Sequence, residues 1–301
     1  MHESHVTILM ATYNGESFLV EQLNSIINQT HKNWTIIASD DGSNDNTVSI
    51  LKKYGLEIHH SQRQGFAANF LSLISKARTD SSYYAFADQD DVWDINKLSR
   101  ALTKLSSIPK GTPALYCGRT HLVDKNLMNQ GYSTLFKKAP SFKNALVQSI
   151  AGGNTMVLNS EALALLKQTP NYNSIVAHDW WAYLLISGAG GSVHYDDTPY
   201  IHYRQHHGNL AGSNVSWLAR LHRIRMLFKG QLKDWIDLNN NNLLAISHLL
   251  TPENKLILDH FQEIRRSRFI FKPIKMALCG IYRQTFYEQI GLITGAFFNK
   301  I

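Results

Sequence analysis

Short apolar runs alternate with helix-spaced apolar positions through the first hundred residues, a pattern that predicts repeated βαβ units and a mostly parallel sheet. Residues 6–11 read as the first strand, and Phe18, Leu19, Leu23, Ile26 and Ile27 put one apolar side on a helix over residues 17–28. Strands follow at 34–39, 56–59 and 83–87, with helices at 47–54, 67–77 and 97–105. Farther on, strand and helix alternate less cleanly. Strands are expected at 155–158 and 192–195, and helices at 142–150, 161–168 and 178–187. After Gly212 the pattern is helical throughout: Trp217, Leu218, Leu221, Ile224, Leu227 and Phe228 keep helical spacing, with Arg220, Arg223, Arg225 and Lys229 between them.

The strand at 83–87 runs straight into Asp88, Asp90 and Asp91. Ligands of parallel sheets gather at the carboxyl ends of the strands. Three acids packed there repel one another, and an oxygen-seeking divalent cation, Mg²⁺ or Mn²⁺, relieves that repulsion while leaving sites for substrate phosphate oxygens. A strand-end turn that caps a helix is the plain alternative. The second strand ends in Asp40-Asp41-Gly42-Ser43 and the first in Thr12-Tyr13-Asn14-Gly15, so these segments are expected on the same rim. A carboxylate there can accept from a pyrimidine imide N–H or a ribose hydroxyl, or it can simply hold the Asp-Gly-Ser turn.

Composition narrows the class. A chain of 301 residues that is 44% hydrophobic can bury a large domain plus an appendage. Cys117 and Cys279 form no zinc or redox pattern, which favours a reducing cytosol. The opening apolar run is too short for a signal segment, and no stretch reaches the 18 or so apolar residues of a membrane span. The net charge is +7, and its location matters: residues 1–215 hold 17 Lys and Arg against 17 Asp and Glu, whereas residues 216–301 hold 13 against 6. The excess therefore sits in the aromatic-rich tail, which suggests a catalytic part at 1–215 and a part at 216–301 that meets something anionic or a second copy of the chain. The tail has no nucleic-acid-binding motif.

Taken together, Ala11-Thr12-Tyr13-Asn14-Gly15 with Glu16, Asp40-Asp41-Gly42-Ser43 with Asp45 and Thr47, Gly65 with Asn69, and Asp88-Gln89-Asp90-Asp91 resemble, in order and spacing, the family 2 glycosyltransferases. The segment Phe-Ala-Asp-Gln-Asp-Asp-Val-Trp is similar to that of rhamnosyltransferases of bacterial surface polysaccharides. The resemblance covers about residues 5–210. It implies a GT-A fold, Rossmann-like with a mostly parallel central sheet flanked by helices, followed here by a C-terminal helical appendage.

It also implies roles. Thr12, Tyr13 and Glu16 would line the nucleotide pocket, with Asp40 at the base. Asp88 would face ribose or metal, Asp90 would ligate the metal, and Asp91 would support them. Asp179 in His178-Asp179-Trp180-Trp181 would be the general base, although His178 stands where many relatives carry Glu. In Tyr203-Arg204-Gln205-His206-His207, Arg204 would fork onto diphosphate oxygens and His206, or His207, would complete the metal shell. Gly153, Asn154 and Trp180 are expected on the acceptor side. The implied reaction is inverting transfer, with a lean to rhamnose, from a nucleotide-diphospho sugar to a saccharide or lipid-linked acceptor at the cytoplasmic face of a bacterial inner membrane. A sugar nucleotidyltransferase is the rival, but the early segment lacks a basic phosphate loop. A non-catalytic carbohydrate-binding subunit would not need Asp90, Asp179 and Arg204. A dehydrogenase would need a Gly-x-Gly-x-x-Gly after the first strand, which is absent.

Overall fold

The computed structural model describes residues 4–61, 63–169, 175–206 and 229–301. Its centre is a seven-stranded sheet built from β1 (Val6–Thr12), β2 (Trp34–Asp40), β3 (Glu57–His60), β4 (Tyr83–Ala87), β6 (Ala114–Gly118), β9 (Val157–Asn159) and β10 (Ser192–Asp196). The spatial order is β10-β6-β9-β4-β1-β2-β3. Only β9 runs against its neighbours, β4 and β6. The other pairings are parallel.

The apolar runs are explained by burial on both faces. Ile8 and Met10 point to one side with α1 (Leu19–Ile27) and α4 (Lys97–Leu105), whereas Leu9 points to the other with α3 (Phe66–Lys76), α6 (Ser160–Leu166) and α7 (His178–Gly188). Met10 lies beside Ala87 and Thr12 beside Asp40, so β1, β2 and β4 deliver their polar ends to one rim, as the sequence implied. Helix α2 (Thr47–Lys53) links β2 to β3.

A second sheet has no counterpart in the sequence pattern. It has four strands in the order β5-β11-β7-β8: β5 (Val92–Trp93), β11 (Ile201–Gln205), β7 (His121–Asp124) and β8 (Asn129–Tyr132). Strand β5 begins right after Asp91 and pairs with β11 through Ile201 to Trp93 and His202 to Val92. Two residues of antiparallel pairing thus bring the Arg204–His206 segment to the acid cluster. The helix expected at 142–150 is shorter, α5 at Phe142–Ala145, although Leu146, Val147 and Ile150 are buried as an apolar face requires.

The tail is helical where described: α8 (Gln231–Ala245), α9 (Pro252–Arg266), α10 (Lys272–Cys279) and α11 (Phe286–Phe297). The helix expected over 217–228 lies outside the described residues. Ile236, Leu243, Phe261, Met276 and Leu292 join the core that holds Trp181 and Tyr183 of α7. Asn254 donates to the carbonyls of Ser187 and Gly188 at the end of α7, and Gln148 donates to Glu288 at 2.9 Å. The tail is therefore bound to the sheet-bearing part by a shared core as well as polar contacts. Cys117 and Cys279 are both free thiols.

Candidate active site

The rim of the sheet carries acids with different environments. Asp40 is buried and accepts from Thr12 Oγ1 at 3.0 Å, Ser43 Oγ at 2.5 Å, Ser43 N–H at 2.9 Å and Gly42 N–H at 3.2 Å. A carboxylate offers about four acceptor sites, so this set fills its capacity. In this structure Asp40 holds the Asp-Gly-Ser turn and has no free lone pair for a base, contrary to the role expected of it. Asp41 is likewise committed, to Gln64 N–H and Gly65 N–H at the entrance of α3.

Thr12 is buried against Asp40, whereas Tyr13 is exposed at 46%. The Gln89 side chain clamps the Tyr13 backbone, accepting from its N–H and donating to its carbonyl, both at 2.8 Å. Gly15 is required beneath this clamp because a Cβ there would collide with the Gln89 side chain. Glu16 accepts from Asn46 N–H and Nδ2, which joins the β1 loop to the start of α2. Thr12, Tyr13 and Glu16 thus lie together on the loop next to the acids. Gln89 was not anticipated, because an uncharged residue between two acids carries no pattern of its own.

Asp90 and His206 meet as expected: His206 Nε2 lies 2.8 Å from Asp90 Oδ2, and its ring packs on Phe18 with centroids 4.9 Å apart. His207 lies outside the described residues. Asp88 is half-buried, and its pKa is pushed up to about 7 by burial first, then by Asp90 and Asp179, with Lys97 acting the other way. Asp91 is fully buried and accepts from Asn154 Nδ2 at 2.6 Å and Arg204 N–H at 3.2 Å, a supporting position.

The Asp90–His206 pair, with Asp88 two residues away, supplies hard oxygen and imidazole donors that suit Mg²⁺ or Mn²⁺. Among the described residues no group of three or more His, Cys, Asp or Glu forms a complete metal cage. A cation of this kind commonly uses one or two protein carboxylates and fills the remaining positions from phosphate and water, so the donor set fits.

Two expectations change. The Arg204 guanidinium is 1% exposed and is engaged within the protein: Nε donates to the Asp90 carbonyl at 2.8 Å, one terminal nitrogen to the Lys125 carbonyl at 2.5 Å, and the other to the Glu21 carboxylate. It also covers the Phe18 ring. These contacts aim the Asp90 backbone rather than presenting a fork to a ligand. On the acceptor side, Asn154 is buried under Asp91, and Trp180 is buried with Nε1 donating to the Ala145 carbonyl at 2.7 Å, so neither faces an open cleft.

Gly153 serves Asp179 instead. Asp179 lies in the first turn of α7, whose cap is Ala177, so it is not the capping residue. Trp180 N–H donates to it at 2.6 Å, and the backbone N–H groups of Gly153 and Asp179 itself also reach its carboxylate. Burial is the larger influence and raises its pKa to about 6 despite these donors. Beside it His178 is buried among Phe70, Phe86 and Phe66, with the Phe70 centroid at 3.9 Å, and burial drops its pKa to about 3. A neutral, packed His178 fixes where α7 begins.

Lys97 was read only as a helix residue. It is fully buried with Nζ 3.2 Å from the Trp93 ring centroid and without a hydrogen-bond acceptor among the described residues. Burial pulls its pKa well down while Asp91 and Asp88 pull it back up. A cation at the first position of a helix opposes the macrodipole, and that misfit was the available signal that this lysine answers to the acids.

The chain is similar to known proteins in both sequence and fold. The chain is 32% identical over 238 residues to the dTDP-rhamnosyl transferase RfbG of Shigella flexneri, spanning 72% of this chain and 78% of that one. It is 28% identical over 132 residues to the Escherichia coli UDP-Glc:alpha-D-GlcNAc-diphosphoundecaprenol beta-1,3-glucosyltransferase WfgD, spanning 42% of this chain and 49% of that one. In fold it is similar to Staphylococcus aureus TarS in complex with UDP-GlcNAc, at a TM-score of 0.56 and 15% identity over 98% of this chain and 90% of that one. It is also similar to the mannosyltransferase PcManGT of Pyrobaculum calidifontis in complex with GDP-Man and Mn²⁺, at a TM-score of 0.51 and 15% identity over 99% of this chain and 88% of that one. With residues 7–163 matching the description "Glycosyl transferase family 2", the chain belongs to that family and is a glycosyltransferase of the GT-A fold.

Proposed function

We propose that this glycosyltransferase moves rhamnose from a thymidine-diphosphate donor, with inversion, to a hydroxyl of a lipid-linked saccharide in bacterial surface-polysaccharide synthesis. The observation that carries the reading is the opposition of two unlike acid sites. Asp179 is a half-buried carboxylate whose pKa is raised to about 6, and it acts electrostatically on Asp88 at the rim, where Asp90 and His206 are paired. The donor and acceptor classes are supported by the names of the two relatives, one a dTDP-rhamnosyl transferase and one acting on a diphosphoundecaprenol-linked sugar.

In this reading Asp179 takes the proton of the acceptor hydroxyl as its oxygen bonds to the anomeric carbon. The bond from that carbon to the diphosphate oxygen breaks on the opposite face, and the nucleoside diphosphate leaves with the electron pair. A general base of this kind contributes roughly 10²- to 10⁴-fold. Asp90 and His206, with Asp88 beside them, would hold a divalent cation, which when bound neutralises diphosphate charge as a Lewis acid. Thr12, Tyr13 and Glu16 line the nucleotide, and Arg204, Asp91 and Asn154 keep the acid cluster aimed. Residues 1–215 carry this chemistry, at the cytoplasmic face of the inner membrane.

A panel of nucleotide sugars, each offered with Mn²⁺ and a lipid-diphosphate saccharide and scored by nucleotide release, tests the proposal. dTDP-rhamnose is expected to turn over fastest. Turnover of a nucleoside triphosphate with no activity on any diphospho sugar would favour a nucleotidyltransferase and overturn it.

A further inference from the structure

Half of the exposed large apolar side chains among the described residues fall within residues 269–298. They form stripes and are not scattered. On α10 and the short 3-10 turn before it, Phe271, Ile274 and Leu278 share one side with Lys275, while Lys272 and Met276 turn inward. On α11, Phe286, Ile290, Ile293 and Phe297 follow one another at intervals of three and four residues, while Leu292, Gly295 and Ala296 face the core. Phe269 meets Phe297 edge to face at 5.9 Å, which joins the two stripes.

Charge decides what covers such a surface. Between residues 265 and 301 the chain carries Arg265, Arg266, Arg268, Lys272, Lys275, Arg283 and Lys300 against one acid, Glu288. That acid is turned inward, bonded to Gln148 and to Thr285 in the capping box of α11 and paired with Arg283 at 3.6 Å. Arg266, Arg268 and Lys275 are exposed around the apolar stripes. A second copy of this face would oppose cations to cations. An anionic bilayer would neutralise them while taking up the aromatic and aliphatic side chains.

We propose that the stripes of α10 and α11, with Phe269 to Phe271, form a face that docks on an anionic lipid surface by shallow insertion. Among the described residues no helix is long and apolar enough to cross a membrane, consistent with lying on it. From the proposed function this takes only the expectation of a lipid-linked acceptor, and docking needs no catalysis.

The test is flotation of the full chain with phosphatidylcholine vesicles, with or without phosphatidylglycerol, beside the variant Ile274→Glu/Leu278→Glu. Both positions are exposed, Leu278 at 83%, so the variant should keep its fold, checked by its melting temperature. Nucleotide release with a water-soluble acceptor is measured in parallel. Wild type is expected to float with the anionic vesicles at least about tenfold more than with neutral ones, less so at high salt, and the variant to remain behind with its activity in solution intact. Equal recovery from both vesicle types, or a dimer in light scattering that the variant abolishes, would overturn docking and leave the transfer reaction standing. Flotation without nucleotide release from any diphospho sugar would sink the transfer reaction and leave docking standing.

Discussion

Burial pushes three carboxylates of this enzyme upward, Asp88, Asp91 and Asp179, and Asp179 shows what that does to stability and to rate. Its folded value of about 6 lies above the ordinary 3.8, so the folded chain binds that proton more tightly than the unfolded chain does. The contribution to stability is therefore present at low pH and is lost as pH rises through the window from 3.8 to about 6. Replacement by Asn removes this penalty. Asp179→Asn is expected to melt higher than wild type at pH 8 and no higher at pH 4, while wild-type kcat/KM falls as pH drops below about 6. A lower melting temperature at pH 8 would contradict the burial argument. Arg204 makes the opposite prediction. As it holds Asp90, Lys125 and Glu21 together from within, Arg204→Met should cost at least about 2 kcal/mol of stability in denaturant unfolding as well as activity. A pure diphosphate clamp would lose activity alone. For the Asp90–His206 pair, Asp90→Ala should weaken Mn²⁺-dependent nucleoside-diphosphate binding by at least about 10-fold in calorimetry, since loss of a residue that merely orients a metal ligand already costs that much.

Between elements, the decisive joint is the contact of the Gly153 turn with the start of α7. A Cβ on Gly153 would fall into the His178 ring, and that ring is boxed in by Phe70 and Phe86 and cannot retreat. Gly153→Ala should destabilise by about 1–3 kcal/mol, the cost of overpacking, and should lower turnover because α7 must shift with Asp179 on its first turn. Unchanged melting and turnover would show that the turn is not what sets the base. This joint was only half legible. The resemblance put Gly153 on the acceptor side, whereas the space a Cβ would need there is filled by the His178 ring. Strands β1, β2 and β4 were legible because burial on both faces leaves unbroken apolar runs. The sheet of β5, β7, β8 and β11 was not, since β5 is two residues long and β8 is a polar edge, which leaves no alternation to detect. Asp40 was ambiguous for a related reason. A polar residue at a strand end reads the same whether it meets a ligand or the hydrogen bonds of its own turn.

Across the whole molecule, one core runs from the central sheet through α7 into α8 to α11, so the helix that carries Asp179 is supported from behind by the tail. The charge count located the tail's basic excess, but which of its apolar positions face inward became visible only with the packing. Seen at this scale, the proposed donor-side groups follow the ends of β1, β4 and β11 while the proposed base lies in the first turn of α7, so binding and chemistry should be separable by a single substitution. The most direct measurement is turnover of Asp179→Asn at saturating nucleotide sugar and Mn²⁺, with nucleoside-diphosphate affinity taken by calorimetry on the same protein. The account predicts a fall of roughly 10²-fold or more in kcat with affinity within about threefold of wild type. Near wild-type turnover by the folded variant would contradict it.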